Sequence, residues 1–261
     1  MNALTAATGP SSAVFARSVR EGLRDPGPAL FLPALPPLLL VIAMTSLFGR
    51  LNGVIAFPTG SFKEFFVPGA IMIVAIAGGG FTSAQVAEDL RSGFIDRLRL
   101  QVRGPLILLL GRFGFEAIRI IPGVAAVLCV GLLFGGALPN GLPGALVITL
   151  LAMLLSAAYA GLFYIAAIVT EDPQTPLNLN PVGIIVSFLS TAFIPRAAMP
   201  SWADTAAGLN PVTVIVDGAR AAMIGDLTSA TVAAALAVAT AGVAISVVAS
   251  GAVLNRKLSR G

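Results

Sequence analysis

Residues 120–170 contain no Asp, Glu, Lys, Arg or His. About 20 apolar residues cross the hydrocarbon core of a bilayer at a rise of about 1.5 Å each. This run of fifty-one residues therefore predicts two crossings, at 120–134 and 144–169. The turn Gly135-Gly136-Ala137-Leu138-Pro139-Asn140-Gly141 separates them. Sixteen basic and twelve acidic residues make only 11% of the chain, where a soluble domain carries about 25%. Mean hydropathy is +0.94. So few charges cannot clothe a water-soluble surface, which excludes a soluble enzyme or nucleic-acid binder. The reading is an all-α integral membrane protein.

The same rule places further crossings at 29–48, 66–87, 177–194 and 227–254, six in all. The third, at 120–134, extends back toward Gly111 with a charged first turn. Fourteen Arg and two Lys set the orientation. Twelve of them fall on the side holding both termini and the linker after the second crossing, and four on the other. Positive charge marks the cytoplasmic side, so both termini are expected inside. The net charge of +4 then reflects topology and implies no nucleic acid. The 28-residue polar lead does not read as a cleavable signal peptide, because no small-residue cleavage site follows the apolar stretch after it.

The division expected is a cytoplasmic N-terminal segment at 1–28, a membrane domain at 29–255 and a cytoplasmic tail at 256–261. Between residues 12 and 24, Phe15, Val19 and Leu23 recur every four residues among Arg17, Arg20, Glu21 and Arg24. That pattern predicts a basic amphipathic helix on the inner leaflet, with membrane lipids as its partner. The linker 88–104 repeats Leu90, Phe94, Leu98 and Val102 at the same spacing. Glu88, Asp89, Arg91, Asp96, Arg97, Arg99 and Arg103 occupy positions between them. Charge of both signs suits a protein partner better than lipid alone. Just beyond, Arg112, Glu116 and Arg119 are spaced to pair along one helix face near the interface. The external segment 196–226 carries Trp202, suited to the headgroups. In it Asn210 is placed to cap a helix and Pro211 to open it. Asp217 and Arg220 lie three apart before Gly225. A dozen residues cannot span, so this piece predicts a re-entrant half-helix.

Chemistry is scarce. The chain has no His and a single Cys, Cys129, in an apolar run, so no metal centre or cofactor is expected. Neither lysine sits in a phosphate-binding loop: Lys63 follows Phe62 and Lys257 follows Arg256. The second, fourth, fifth and sixth crossings hold no charged residue, which disfavours ion-coupled transport. The stretch Asp217-Gly218-Ala219-Arg220 overlaps part of the Asp-Gly-x-x-Ala-Arg motif of phosphatidyl-alcohol transferases. The spacing to Arg220 is short, and the downstream Asp pair that would hold metal is missing. A stand-alone membrane scaffold or channel is the non-enzymatic alternative.

An ordered series of motifs resembles the ABC-2-type permeases, and within them the daunorubicin-resistance-type drug exporters. It runs from Arg24-Asp25-Pro26 and Leu47-Phe48-Gly49 to Phe66, Pro68 and Gly69, then Gly78-Gly79-Gly80. Glu88, Asp89, Arg91, Gly93, Phe94, Asp96, Arg97, Leu98 and Arg99 follow, then Gly111-Arg112. Phe188, Ser190, Phe193, Pro195, Met199-Pro200, Asn210-Pro211, Thr213, Asp217 and Arg220 complete the series. One departure is the stretch Leu100-Gln101-Val102-Arg103-Gly104-Pro105, where the family has a Pro step. The resemblance implies a six-helix permease of the bacterial inner membrane with no ATPase activity of its own. It implies a second permease copy, identical or paralogous, and two copies of a separate ABC ATPase subunit. The helix at 88–99, together with Arg17, Arg20 and Arg24 of the interfacial helix, would face that ATPase. The cargo implied is an amphiphilic drug, a lipid or a glycan-type molecule.

Overall fold

The computed structural model describes residues 10–32, 34–48, 57–77, 79–95 and 106–259. Twelve α-helices lie among them, and no strand. In chain order these are α1 Pro10–Arg24, α2 Leu35–Phe48, α3 Phe62–Ala77, α4 Gly79–Arg91, α5 Leu106–Arg119 and α6 Ile121–Leu133. There follow α7 Gly141–Thr170, α8 Gln174–Asn178, α9 Asn180–Phe188, α10 Ser201–Leu209, α11 Pro211–Ile224 and α12 Ala230–Leu258. A π-helical turn, Gly27–Phe31, precedes α2.

Four helical stretches are long and apolar enough to cross a membrane: Phe62–Arg91, Leu109–Leu133, Gly141–Thr170 and Ala230–Leu258. They cover the expected second, third, fourth and sixth crossings, and the third indeed begins before Gly111. The first expected crossing contains the shorter apolar helix α2. The fifth, 177–194, is not one helix. Pro176 falls inside α8, Pro181 opens α9, and turns take over after Phe188. Proline lacks the N–H that a continuous helix would need and fits best at a first turn, so the apolar run is cut into two short pieces.

The linker after α4 also differs from expectation. Glu88, Asp89 and Arg91 form the last turn of α4 rather than opening a new helix. A turn at Ser92-Gly93 then ends it, with Gly93 at φ +63°, a left-handed conformation that glycine adopts without strain. Asp96, Arg97, Leu98 and Arg99 lie outside the described residues, as does the whole 96–105 stretch.

Helix α3 is the hub. Thirteen of its sixteen residues are buried, as suits a helix that is apolar all round. Helices α2, α6, α7, α9 and α11 pack around it. Around that hub, α7 and α12 make the most extensive helix pair. Their close approach needs small residues, because lipid and leucine are equally apolar and only tight packing draws helices together. Gly161 of α7 faces Ser246 of α12, and a Cβ there would collide with the serine side chain. Ser246 donates a hydrogen bond to the Ala158 carbonyl across the same seam. At one end, Lys257 pairs with Glu171 at 2.5 Å and donates to the Ile168 carbonyl, so the last turn of α7 is closed by the last turn of α12. The outer faces carry Leu146, Leu162, Ile245 and Val248, all largely exposed, an apolar belt suited to lipid chains.

Replacing Gly161 with Val should force α7 and α12 apart and destabilise the fold by about 1–3 kcal/mol, the usual cost of overpacking. Thermal unfolding of the detergent-solubilised protein reads this directly. An unchanged midpoint would show that the seam is looser than described.

Candidate functional site

Three clusters of charged side chains sit inside this apolar bundle, each nearly neutral in sum. The first lies where α1 rests on α5. Val14, Ser18 and Gly22 form the buried face of α1, with Gly22 closing on the Phe115 ring. The row Phe15, Val19 and Leu23 is turned aside, and Leu23 is 66% exposed. Thus α1 is seated on protein by one face, and Phe15 of the second row also lies against Gly114 of α5. Asp89, 6% exposed, accepts hydrogen bonds from two arginines. Arg17 reaches one oxygen at 3.0 Å and Arg112 reaches the other. Arg17 also donates to Glu21 at 2.5 Å and lies 3.9 Å over the Phe94 ring. Arg112 donates to Gln85 at 2.9 Å. Glu21, Arg17, Asp89 and Arg112 therefore alternate in sign along one chain of contacts joining α1, α4 and α5. Glu88, Arg91, Arg20 and Arg24 remain exposed around it.

The second cluster is completely enclosed. Glu116 of α5 is 0% exposed. One of its oxygens accepts from Thr82 at 2.6 Å and Arg119 Nε at 2.8 Å. The other accepts from Ser156 at 2.8 Å and from a terminal nitrogen of Arg119. Arg119 also donates to the Ala29 carbonyl at 3.3 Å. Tyr164, buried edge-on against Phe113 at 4.9 Å, lies within 3.4 Å of the Thr82 hydroxyl. Of the three residues expected to pair along one helix face, Glu116 and Arg119 do so. Arg112 turns to Asp89 instead, and all three are buried in protein.

The third cluster holds α11, at the other end of the Phe62–Arg91 stretch from Asp89. Asn210 caps this helix by accepting from the Val212 N–H at 2.9 Å, and Pro211 opens it. The Asn210 amide also donates to the Val186 and Leu189 carbonyls, which binds the end of α9. Arg220 pairs with Asp217 at 2.7 Å and donates to the Phe65 carbonyl at 2.9 Å. It also donates to the hydroxyl and carbonyl of Thr191, and its guanidinium lies 3.7 Å over the Phe65 ring. A planar cation with five donors suits such a site, where two backbone carbonyls and a carboxylate converge. At fourteen residues, or about 21 Å, α11 is too short to span.

Thr82, Ser156, Tyr164, Thr191 and Phe65 complete these clusters and were not singled out from the sequence. The available signal is that a hydroxyl inside an apolar helix needs a partner, but nothing in the spacing says which one. Asn140 is another such partner, donating to the Ala222 and Gly225 carbonyls at the end of α11. No group of three or more metal-binding side chains occurs among the described residues.

The ABC-2 type transporter family matches residues 11–224 of the chain. A daunorubicin resistance ABC transporter permease protein, DrrB1 of Streptomyces coeruleorubidus, is 23% identical over 192 residues. That alignment covers 73% of this chain and 67% of the relative. With a match that embraces α1, all three charged clusters and α11, this chain belongs to the ABC-2 type transporter family.

Proposed function

We propose that the chain is the transmembrane subunit of an ATP-driven exporter, drawing its energy from a separate ATPase. The observation that carries this reading is the seat of α1. A basic interfacial helix is strapped through Arg17, Asp89 and Arg112 to the end of α4, leaving Glu88, Arg91, Arg20 and Arg24 exposed around the joint. A mixed-charge surface of this kind suits a protein partner, and the sequence itself holds no phosphate-binding loop. The relative named for daunorubicin resistance supports an export role, and the cargo class is an amphiphilic drug, lipid or glycan-type molecule.

In this reading the membrane is crossed six times, with both termini in the cytoplasm of a bacterium. The π-helical turn with α2 provides one crossing, and α9 with its following turns another. Two permease copies and two ATPase copies make the working unit. Asp89 takes a role different from a docking contact. Its carboxylate is already held by two arginines, so it positions α1 against α4, while Glu88 and Arg91 meet the partner. ATP-driven closure of the ATPase pair pushes on this joint, and α11 is the element that yields at the far side.

Two measurements test the division of roles. Reversing Glu88→Lys together with Arg91→Glu should leave the thermal midpoint unchanged and weaken association with the ATPase about tenfold, equivalent to about 1.4 kcal/mol. Co-purification and coupled ATP hydrolysis read the loss, and intact coupling would remove this surface from the mechanism. Asp89→Asn should instead destabilise the isolated permease by about 3–5 kcal/mol, because removing one partner of a buried pair leaves uncompensated charge. A stable Asp89→Asn protein that still fails to couple would return Asp89 to direct docking.

A further inference from the structure

The last turns of α7 and α12 border an open groove of about 340 Å³, lined by Ile168, Val169, Val253, Arg256 and Lys257. None of the three charged clusters contributes to it. Its wall is apolar and its rim is basic. Ile168 is buried, Val253 half-buried and Val169 64% exposed, so the wall runs out onto the free surface of α7. At the rim, Lys257 is committed to protein, because Glu171 and the Ile168 carbonyl hold its ammonium. Arg256 is exposed, and among the described residues no ion pair involves it. The carboxylate next to Glu171, that of Asp172, is taken up by the N–H groups of Gln174 and Thr175 and by the Thr175 hydroxyl. Two cations against Glu171 leave the groove one positive charge in excess.

Depth decides what this groove meets. Helices α7 and α12, of 30 and 29 residues, are about 45 and 44 Å long. The hydrocarbon core is about 30 Å thick, and about 40–45 Å with its headgroup layers. The final turns of both helices therefore stand at headgroup level, with acyl chains beside the wall and phosphates beside the rim. From this placement we propose that the groove binds an anionic phospholipid, its phosphate on Arg256 and an acyl chain along Val169 and Val253. A guanidinium presents parallel N–H donors that match two phosphate oxygens, and basic pockets between membrane helices suit such headgroups. The excess charge selects among lipids. An anionic headgroup cancels it, whereas a zwitterionic one brings its own cation to the same rim. The bound lipid lies against both helices and reinforces the joint that Lys257 makes with Glu171 and Ile168. The site requires that α7 and α12 cross the membrane and is independent of the exporter reading.

Native mass spectrometry of the full chain, released from detergent micelles, counts bound lipids directly. The titrants are dioleoyl phosphatidylglycerol and dioleoyl phosphatidylcholine, which share their acyl chains and differ in headgroup. Phosphatidylglycerol should bind about fivefold more tightly, matching about 1 kcal/mol for one basic residue at an anionic headgroup. Arg256→Gln alters an exposed side chain and should bring the two lipids to parity. Glu171→Gln removes the competing carboxylate and should raise phosphatidylglycerol affinity by a similar factor, a gain that misfolding cannot mimic. Inorganic phosphate at the same concentration should not displace the lipid. Equal affinity of the wild type for both lipids, an unchanged preference in Arg256→Gln, or weaker phosphatidylglycerol binding in Glu171→Gln would overturn the assignment. Displacement by inorganic phosphate would overturn it too, by making the groove a site for free phosphate.

Discussion

Glu116 sits where no water can reach it, and the arrangement of four structural elements follows from that fact. An ionised carboxylate inside apolar protein is tolerated only when its charge is matched and its lone pairs are occupied. Here Arg119 supplies the charge and two of the hydrogen bonds, while Thr82 and Ser156 supply the others. Those partners come from α4, α5 and α7, and Arg119 extends the set to the π-helical turn through the Ala29 carbonyl. Sliding any of these elements by one residue would leave a buried donor or acceptor without a partner. Helix α5 is thereby fixed, and because α1 rests on α5, the position of the Arg17–Asp89–Arg112 chain depends on the same core.

Charge balance decides what each cluster can do. Around Asp89, two carboxylates and two arginines alternate, and every buried member has an opposite neighbour. Such a cluster gives geometric register more than net stability. It leaves the exposed charges at its edge, Glu88 and Arg91, available for a partner. The Arg220 cluster differs, because Asp217 is 41% exposed on its side chain while Arg220 is 8% exposed. Its cation is held chiefly by the Phe65 and Thr191 carbonyls and by the Phe65 ring. Those contacts are to backbone near the ends of α3 and α9, so the position of α11 is set by both, alongside the Asn210 and Asn140 hydrogen bonds at its two ends.

Much of this was legible in the sequence, for reasons specific to certain residues. The uncharged interval 120–170 could hold only membrane helices, and α6 and α7 fill it. Asn210-Pro211 marked a helix start by an N-cap acceptor and a residue that needs no N–H, and α11 begins there. The Asp217 to Arg220 spacing placed the two on one face, and they pair. Other features were hidden. The length of the apolar run drew 177–194 as one helix, whereas Pro181 opens a new helix inside it and turns follow Phe188. The four-residue spacing of Leu90 and Phe94 suggested one continuous helix, but Ser92-Gly93 breaks it with a left-handed glycine. Long-range partners such as Thr82 for Glu116, 34 positions apart, leave no trace in local spacing.

The contrast between two kinds of helix contact bears on how motion could pass through the bundle. The α1, α4 and α5 contacts are directional: ion pairs and charge-assisted hydrogen bonds that lose their partners within a few tenths of a turn. The α7 and α12 seam is built mainly from small residues in van der Waals contact, with Gly161 against Ser246 at its narrowest point. That seam is pinned as well, by the Ser246 hydrogen bond to the Ala158 carbonyl and by the Lys257–Glu171 ion pair, so α7 and α12 also hold one register. In the exporter reading, a push at the exposed charges beside Asp89 moves α1, α4 and α5 as one body, because the contacts that join them are ion pairs and charge-assisted hydrogen bonds.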